Sequence, residues 1–413
     1  MSTNNAKVKI CFVTTVPFQV NVFLESHVLA LLPHAEVIVI TNQYDHAICG
    51  LSATLTNRVR VCHVPFRRVI SPIHDLIALV NLVVVLSRER PMIIQSISPK
   101  AGLLCALAGW LLRLPIRVHW FTGQVWVTKH GFMRSLMKAL DTLIAKLTTN
   151  LLADSPSQMN FLVQQGVVNK AKIEVLGHGS VCGVDVERFQ PNPKCRSSVR
   201  QQYGIPNNAV LGIFVGRVTA DKGVLELAQA IRILNQEGVI LYIAFVGPDE
   251  GNMSAAITLA SGGDSQRIIM TGFSTTPESF MSAADFLVLP SYREGFGSAI
   301  IEAAACGIPA IGSRIDGIID AIDEGETGLL VEPRDINQLA DAMRTLAINE
   351  QLRMKLGVAA RVRALKCFQT KHLNFSVVSY FDRLLRGTPY AALLQNSGAN
   401  EHCPPKSPSV LER

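Results

Sequence analysis

Apolar residues along this chain fall into short unbroken runs, and each run is followed by a longer stretch where they recur at helical spacing. Runs at 8–14, 36–41, 58–63, 91–96, 116–120, 150–154 and 172–176 are mostly apolar, and all but the leucine-containing 150–154 carry Val or Ile. Such runs predict strands buried on both faces of a parallel sheet. Helical spacing predicts helices between them at 21–33, 73–89, 100–112 and 131–147. A second series starts near residue 209, with strands at 209–216, 239–246, 267–271, 285–289, 308–312 and 328–331. Its helices are predicted at 222–236, 277–283, 297–306 and 335–348. Between the series, residues 179–208 are rich in Gly, Pro and Asn and read as a connection. The alternation predicts an α/β chain of two Rossmann-like, doubly wound domains facing across a cleft, the default ligand site. The expected division is 1–186, 187–370, a helix at 371–387 returning to the first domain, and a disordered tail at 388–413.

Two apolar runs, 76–86 and 101–112, stand out. Both fall short of the ~20 residues that a spanning helix needs, so they are expected to be buried helices. A length of 413 residues with 48% hydrophobic and 17% charged positions suits two packed domains and excludes wholesale disorder. The net charge of +7 is uneven: residues 1–190 hold 18 Lys and Arg against 10 Asp and Glu, and the remainder 21 against 22. The imbalance predicts an anionic surface or substrate for the first half. Nine scattered cysteines form no Cys-x-x-Cys pair, which argues against a disulfide framework or structural zinc and for a reducing compartment. No basic segment precedes a signal-type apolar core. No basic–aromatic motif suggests nucleic acid.

The chemistry concentrates in the second half. In REGFGSAIIEAAACG at 293–307, a strand end and turn lead into a helix near Gly297. Gly295 and Gly297 let the backbone approach a ligand closely, and free N–H groups at the helix start attract an anion. Glu294 and Glu302 flank that turn. Carboxylates bind phosphate poorly, but they accept hydrogen bonds from sugar hydroxyls on either side of a diphosphate. In VGRVTADKG at 215–223, Arg217 and Lys222 follow a strand and suit the diphosphate itself.

These segments, with FVGPDEGN at 245–252, TGF at 271–273, SAADFLVLPSYREGFGSAIIEAAACGIPAIGS at 282–313 and DEGETGLLVEPRD at 323–335, resemble the family-4 retaining glycosyltransferases of GT-B fold. The Glu-x7-Glu signature of that family is met by Glu294 and Glu302, and the resemblance spans roughly residues 8–385. It implies that Arg217 and Lys222 bind a donor diphosphate and that Glu294 holds donor-sugar hydroxyls. It also implies sugar and phosphate contacts from Gly295, Phe296, Gly297 and Ser298, and ribose contacts from Glu302. Thr271, Gly272 and Phe273 would lie by the base, with Gly216 and Gly247 completing the donor loops. Phe296 is equally well read as core, and Thr271 as a strand end.

In the first half, RVHWFTGQVW at 117–126 predicts a strand ending at Val118. His119 would then enter a cleft-facing loop, and the resemblance implies a place for it beside the donor sugar. Thr122, Gly123 and Gln124 offer groups to an acceptor. Trp120, Phe121 and Trp126 would stack on sugar, dip into lipid or fill the core. TTVPFQVNVF at 14–23 lacks the glycine-rich turn common in the family, which suggests an acceptor pocket contacted by Gln19 and Asn21. The 131–147 helix carries Leu and Met at helical spacing with Lys138 and Lys146 among its polar positions. It reads as an ordinary amphipathic helix or as a membrane-docking one.

The resemblance implies retaining transfer from a nucleoside-diphosphate sugar, UDP- before GDP-, with Glu294, His119, Arg217 and Lys222 as the catalytic set and no metal or other cofactor. The expected acceptor is a lipid-linked oligosaccharide in surface-polysaccharide assembly, met by a peripheral protein at the inner face of the cell membrane. The alternatives are a nucleotide-sugar epimerase of the same fold or an inactive binding subunit. A dinucleotide oxidoreductase would need Gly-x-Gly-x-x-Gly after the first strand, which 14–23 lack.

Overall fold

A computed structural model describes residues 7–44, 50–263, 266–386 and 388. The predicted tail beyond 388 therefore lies outside the described residues. The first sheet contains β1 (Val8–Val13), β2 (Ala35–Thr41), β3 (Arg60–His63), β4 (Ile93–Ser96), β5 (Ile116–Phe121), β6 (Asn150–Ala153) and β7 (Ile173–Glu174). Their spatial order is β3-β2-β1-β4-β5-β6-β7. The second sheet contains β8 (Val210–Val215), β9 (Leu241–Val246), β10 (Ile268–Gly272), β11 (Phe286–Leu289), β12 (Ala310–Ser313) and β13 (Gly328–Val331), in the order β10-β9-β8-β11-β12-β13. Every pairing is parallel, from Val8↔Ala35 in the first sheet to Val210↔Leu241 in the second. The central strands VKICFV and VLGIFV are apolar on both faces because helices cover both: Phe12, Val13, Ile213 and Phe214 are wholly buried.

Strand order reverses between β1 and β4, and again between β8 and β11. A crevice opens at the carboxyl ends of the strands at each switch point. The chain crosses between domains twice, and the crossings pair: Val184 N–H donates to Phe368 O (2.8 Å) and Thr370 N–H to Val184 O (3.0 Å). Gly183 permits this, since a β-carbon there would lie 2.8 Å from Phe368 O. The helix Thr370–Leu385 buries Leu373, Val377 and Phe381 in the core of the first domain, with Phe381 edge-on to Phe12 at 6.3 Å.

Three local differences from the sequence expectations have clear causes. Residues 179–208 are not mere connection: Asn192 caps a helix Pro193–Gln202 by accepting from Lys194 and Cys195 N–H. From that helix the buried Arg200 guanidinium donates to Ala283 O (3.0 Å), Pro206 O (2.9 Å) and Asp285 Oδ2 (2.8 Å). The helix expected at 21–33 opens as a π-turn, Val20–Leu24, before the α-helix Glu25–Leu31. The apolar run at 76–86 is not a fully buried helix. In Pro72–Glu89, Ala78, Leu82 and Leu86 face the sheet, while Leu76, Ile77, Val80 and Val84 project into solvent. Trp120, Phe121 and Trp126 are core residues, each at most 3% exposed.

Candidate functional site

Glycine lets the strand ends of the second domain crowd together. Gly216 N–H donates to Val246 O (3.0 Å) and Gly247 N–H to Gly272 O (2.9 Å), which stitches the loops after β8, β9 and β10. A β-carbon on Gly247 would sit 1.9 Å from Gly216 O, so no other residue fits. Beyond Gly216, Arg217 remains 46% exposed at its side chain, with Nη1 3.1 Å from Glu250 Oε2. The turn Ala220–Lys222 is pressed onto the end of β11, where a β-carbon on Gly223 would meet Pro290 O. This contact delivers Lys222 Nζ to Glu294 Oε1 at 2.5 Å. The buried Ser291 hydroxyl donates to the same oxygen (2.8 Å). Arg293 pairs with Asp221 at 3.2 Å and steadies the loop from its other side.

Gly297, in the left-handed region at φ +77°, precedes the helix Ser298–Ala305, whose start has no side-chain cap. The amide groups of its first turn are thus available to an anion. Ser298 Oγ lies 3.8 Å from Cys182 Sγ of the first crossover. Glu302 sits one helical turn further on, its carboxyl pushed up to about 7 by burial. The Phe296 ring is core, edge-on to Phe368 at 5.3 Å. Thr271 Oγ1 donates to Phe245 O (3.2 Å) at the bulged end of β10. The half-exposed Phe273 reaches across to Phe18 of the first domain, with ring centroids 6.3 Å apart.

The two domains meet at this loop. A β-carbon on Gly123 would lie 3.0 Å from Gly295 N. One on Gly295 would lie 2.3 Å from Asp154 Oδ2 and 2.7 Å from the Thr122 carbonyl carbon. Thr122 and Gly123 therefore stand against Glu294 and Gly295. Gln124 is buried beside them, and its Nε2 has no hydrogen-bond partner among the described residues.

His119 departs from expectation. Strand β5 runs on to Phe121, so His119 lies within the strand and not in the cleft loop. Its ring is wedged against Gly102 of the helix Pro99–Leu111, where a β-carbon would be 2.4 Å from His119 Cε1. Nδ1 is 2.9 Å from Ser96 Oγ, and burial pulls the imidazole down to about 3, so it is neutral. The cleft loop starts at Thr122. Asn21 also departs from expectation, since both ends of its amide hold the loop at 50–52: Nδ2 donates to Gly50 O and Oδ1 accepts from Ser52 N–H, each at 2.9 Å. Gln19 Oε1 closes its own turn on Thr15 N–H (3.1 Å) and Oγ1–H (2.9 Å).

Sequence reasoning missed two parts of the interface. Asp154 follows β6, and burial holds its carboxyl well above the usual range, directly against Gly295. Its only signal was an acidic residue at a strand end ahead of Ser-Pro. The second part is a helix cap made between domains. Ser157 N–H and Oγ–H donate to Asp320 Oδ2 (2.9 and 2.5 Å), and Gly317 N–H donates to Ser157 Oγ (2.7 Å). A partner 163 residues away leaves no local trace. Among the described residues, no three His, Cys, Asp or Glu side chains gather as metal ligands.

The family model "Glycosyl transferase 4-like domain" matches residues 27–179, and "Glycosyl transferases group 1" matches residues 196–363. The capsular polysaccharide biosynthesis glycosyltransferase CapM of Staphylococcus aureus is 29% identical over 331 residues, covering 79% of this chain and 86% of that protein. The UDP-Gal:alpha-D-GlcNAc-diphosphoundecaprenol alpha-1,3-galactosyltransferase of Escherichia coli is 28% identical over 354 residues, covering 83% and 89%. Sucrose-phosphate synthase of Thermosynechococcus elongatus superimposes with a TM-score of 0.77 at 19% identity, covering 92% of this chain and 100% of that one. The last likeness concerns fold: two Rossmann-like domains in the GT-B arrangement.

Proposed function

Since this chain belongs to the glycosyltransferases that join a 4-like domain to a group 1 domain, we propose that it moves a sugar from a UDP-sugar to a hydroxyl of a lipid-linked oligosaccharide. The anomeric configuration is retained, and the product enters surface polysaccharide. One observation carries the reading: the Lys222–Glu294 pair at 2.5 Å, with Arg217 exposed nearby and the uncapped start of Ser298–Ala305 beneath. The name of the Escherichia coli relative supports the donor base and the acceptor class, and that of the Staphylococcus aureus relative supports surface polysaccharide.

In this mechanism the leaving nucleoside diphosphate gathers negative charge as the glycosidic bond lengthens. Arg217, Lys222 and the helix-start amides meet that charge without reorganising. Lys222 exchanges part of its contact with Glu294 for the phosphate when the donor binds, before the glycosidic bond lengthens. Glu294 then accepts hydrogen bonds from donor-sugar hydroxyls and orients the ring. It forms no covalent intermediate, because the acceptor oxygen attacks on the face the diphosphate leaves and passes its proton to the departing phosphate oxygen. Glu302 holds the ribose. Thr122, Gly123 and Gln124 close the reaction centre from the first domain and exclude water that would otherwise hydrolyse the donor. The reading needs no metal ion, and it places the enzyme at the inner face of the cell membrane, with its basic first domain against anionic lipid.

The test begins with thermal shifts for UDP, GDP and NAD on the wild type and on Arg217→Ala with Lys222→Ala. Stabilisation by UDP, lost in the double variant, is expected. A UDP-sugar panel with diphosphate-linked polyprenyl saccharides follows, and the product's anomeric coupling is read by NMR. A shift with NAD alone, or conversion of the UDP-sugar to its epimer without acceptor, overturns the reading. UDP binding without turnover on any acceptor identifies a binding subunit instead.

A further inference from the structure

Helix Pro72–Glu89 is apolar on two opposite faces. Ala78, Leu82 and Leu86 pack into the core with the neighbouring helix Pro99–Leu111. On the other side Ile73, Leu76, Ile77, Val80 and Val84 form a stripe at spacings of three and four, exposed by 39–74%. A helix that is apolar all round is ordinarily buried. This one lies on the outside of its domain, and no described residue covers its outer stripe.

The surroundings extend the stripe. Val69 and Ile70, in the loop just ahead of the helix, are 76% and 65% exposed. Phe132 and Met133, in the first turn of helix Gly131–Leu147, are 79% and 45% exposed. The helices Pro72–Glu89, Pro99–Leu111 and Gly131–Leu147 pack side by side on one face of the first sheet. Each runs back along the sheet from the carboxyl ends of the strands. The apolar first turns therefore sit at the edge that carries Thr122–Gln124, beside the cleft.

Charge identifies the occupant. Between residues 66 and 138 there are ten Lys and Arg and only two carboxylates, Asp75 and Glu89. Both carboxylates are engaged, Asp75 by Lys100 (2.7 Å) and Glu89 by Arg60 (2.5 Å) and Lys9 (3.4 Å). Arg67, Arg68, Arg88, Lys129 and Arg134 are exposed. A second copy docked through the same face would set this cationic field against itself. A convex helical stripe also offers no groove for a peptide. An anionic bilayer satisfies both features, with apolar side chains entering the acyl boundary and guanidinium groups meeting lipid phosphates. No described helix is long and apolar enough to cross a membrane, so the contact is one of surface.

We propose that the outer face of Pro72–Glu89, with the 67–70 loop and the first turn of Gly131–Leu147, is the surface on which this protein lies on an anionic membrane, its cleft mouth at the lipid headgroups. This rests on the transfer reading above and deepens it by naming the face through which a lipid-linked acceptor reaches Thr122–Gln124.

The full chain is mixed with vesicles of phosphatidylcholine, with and without phosphatidylglycerol, and bound protein is measured by flotation. The wild type is expected to float with the anionic vesicles only. Leu76→Glu with Val80→Glu should weaken that binding at least tenfold, and Arg67→Ser with Arg68→Ser should weaken it and flatten its salt dependence. All four side chains are exposed, so melting temperatures should stay at the wild-type value. If the first pair lowers melting, Ile73→Ser with Ile77→Ser carries the same test. Wild-type affinity in the apolar variants overturns the proposal, as does a dimer in light scattering that those variants split. The UDP thermal shift without vesicles reads the transfer site separately. Vesicle binding without any UDP shift removes the transfer reading alone, and a UDP shift with no vesicle binding removes the docking face alone.

Discussion

A single methyl group at Gly295 probes the meeting of the two domains. A β-carbon added at this position would lie 2.3 Å from Asp154 Oδ2 and 2.7–2.8 Å from the Thr122 carbonyl group. All three atoms belong to the first domain, and nothing within the second domain comes as close. Gly295 is outside the left-handed region, so alanine is compatible with its backbone. The methyl group leaves each domain intact but forces the two apart by about 1 Å to reach ordinary contact distances. A 1 Å misplacement of a reacting group costs on the order of a hundredfold in rate, or ~2.7 kcal/mol of barrier. Gly295→Ala should therefore lower kcat about a hundredfold while the calorimetric Kd for UDP changes less than about threefold, because the donor loops lie in the second domain alone. Its melting temperature should remain within a few degrees, helped by the ~0.4–1 kcal/mol that a glycine-to-alanine change contributes through the unfolded chain. Unchanged turnover would refute the claim that catalysis uses this closed contact. A parallel loss of UDP affinity and melting temperature would show that the methyl group had damaged the second domain instead.

Other expectations follow from the same contacts. Arg200→Ala takes the guanidinium donor from the Pro206 and Ala209 carbonyls and from Asp285 Oδ2, while Arg196 keeps Asp285 Oδ1 at 2.8 Å, and should cost ~1–3 kcal/mol in denaturant unfolding followed by a second-domain probe. Asp320→Ala removes the acceptor of both Ser157 donors; loss of a helix cap worth ~1 kcal/mol should shift small-angle scattering toward a larger radius, and an unchanged profile would count against the contact. Burial raises the Glu302 carboxyl from 4.5 to about 7, so between those values the folded chain holds a proton that the unfolded chain has released. Its contribution to stability is therefore full below about 4.5 and is lost as pH rises through about 7. Melting temperatures across that window should fall less steeply in Glu302→Gln, and the gain in UDP affinity from pH 6 to pH 8 should be larger in the wild type than in that variant.

Much of the fold was legible because its signals are local. The unbroken runs around Cys11–Val13 and Leu211–Phe214 are buried on both faces, so they are apolar at every position and need no partner to be recognised as strands. The donor loops were legible for a similar reason. Gly216, Gly223, Gly247 and Gly297 all hold positive φ angles or close approaches that only glycine accepts, and Arg217, Lys222, Glu294 and Glu302 sit in short segments beside them.

The tertiary structure decided what depends on direction and on distant partners. Three further residues of β5 turned His119 from a cleft group into a neutral core side chain, because strand length is set by pairing with β6, where His119 lies opposite Leu151. The amide of Asn21 was drawn onto Gly50 and Ser52, whose backbone groups need partners wherever the loop folds. The apolar run at 76–86 carried no mark of which side would meet the sheet, since both sides are equally apolar. Composition along the chain determines that a segment avoids water. Only the packing of helices on the sheet determines which of its faces succeeds, and only the meeting of two domains places Asp154 against Gly295 or Asp320 on Ser157, because the sequence holds those residues more than a hundred positions apart.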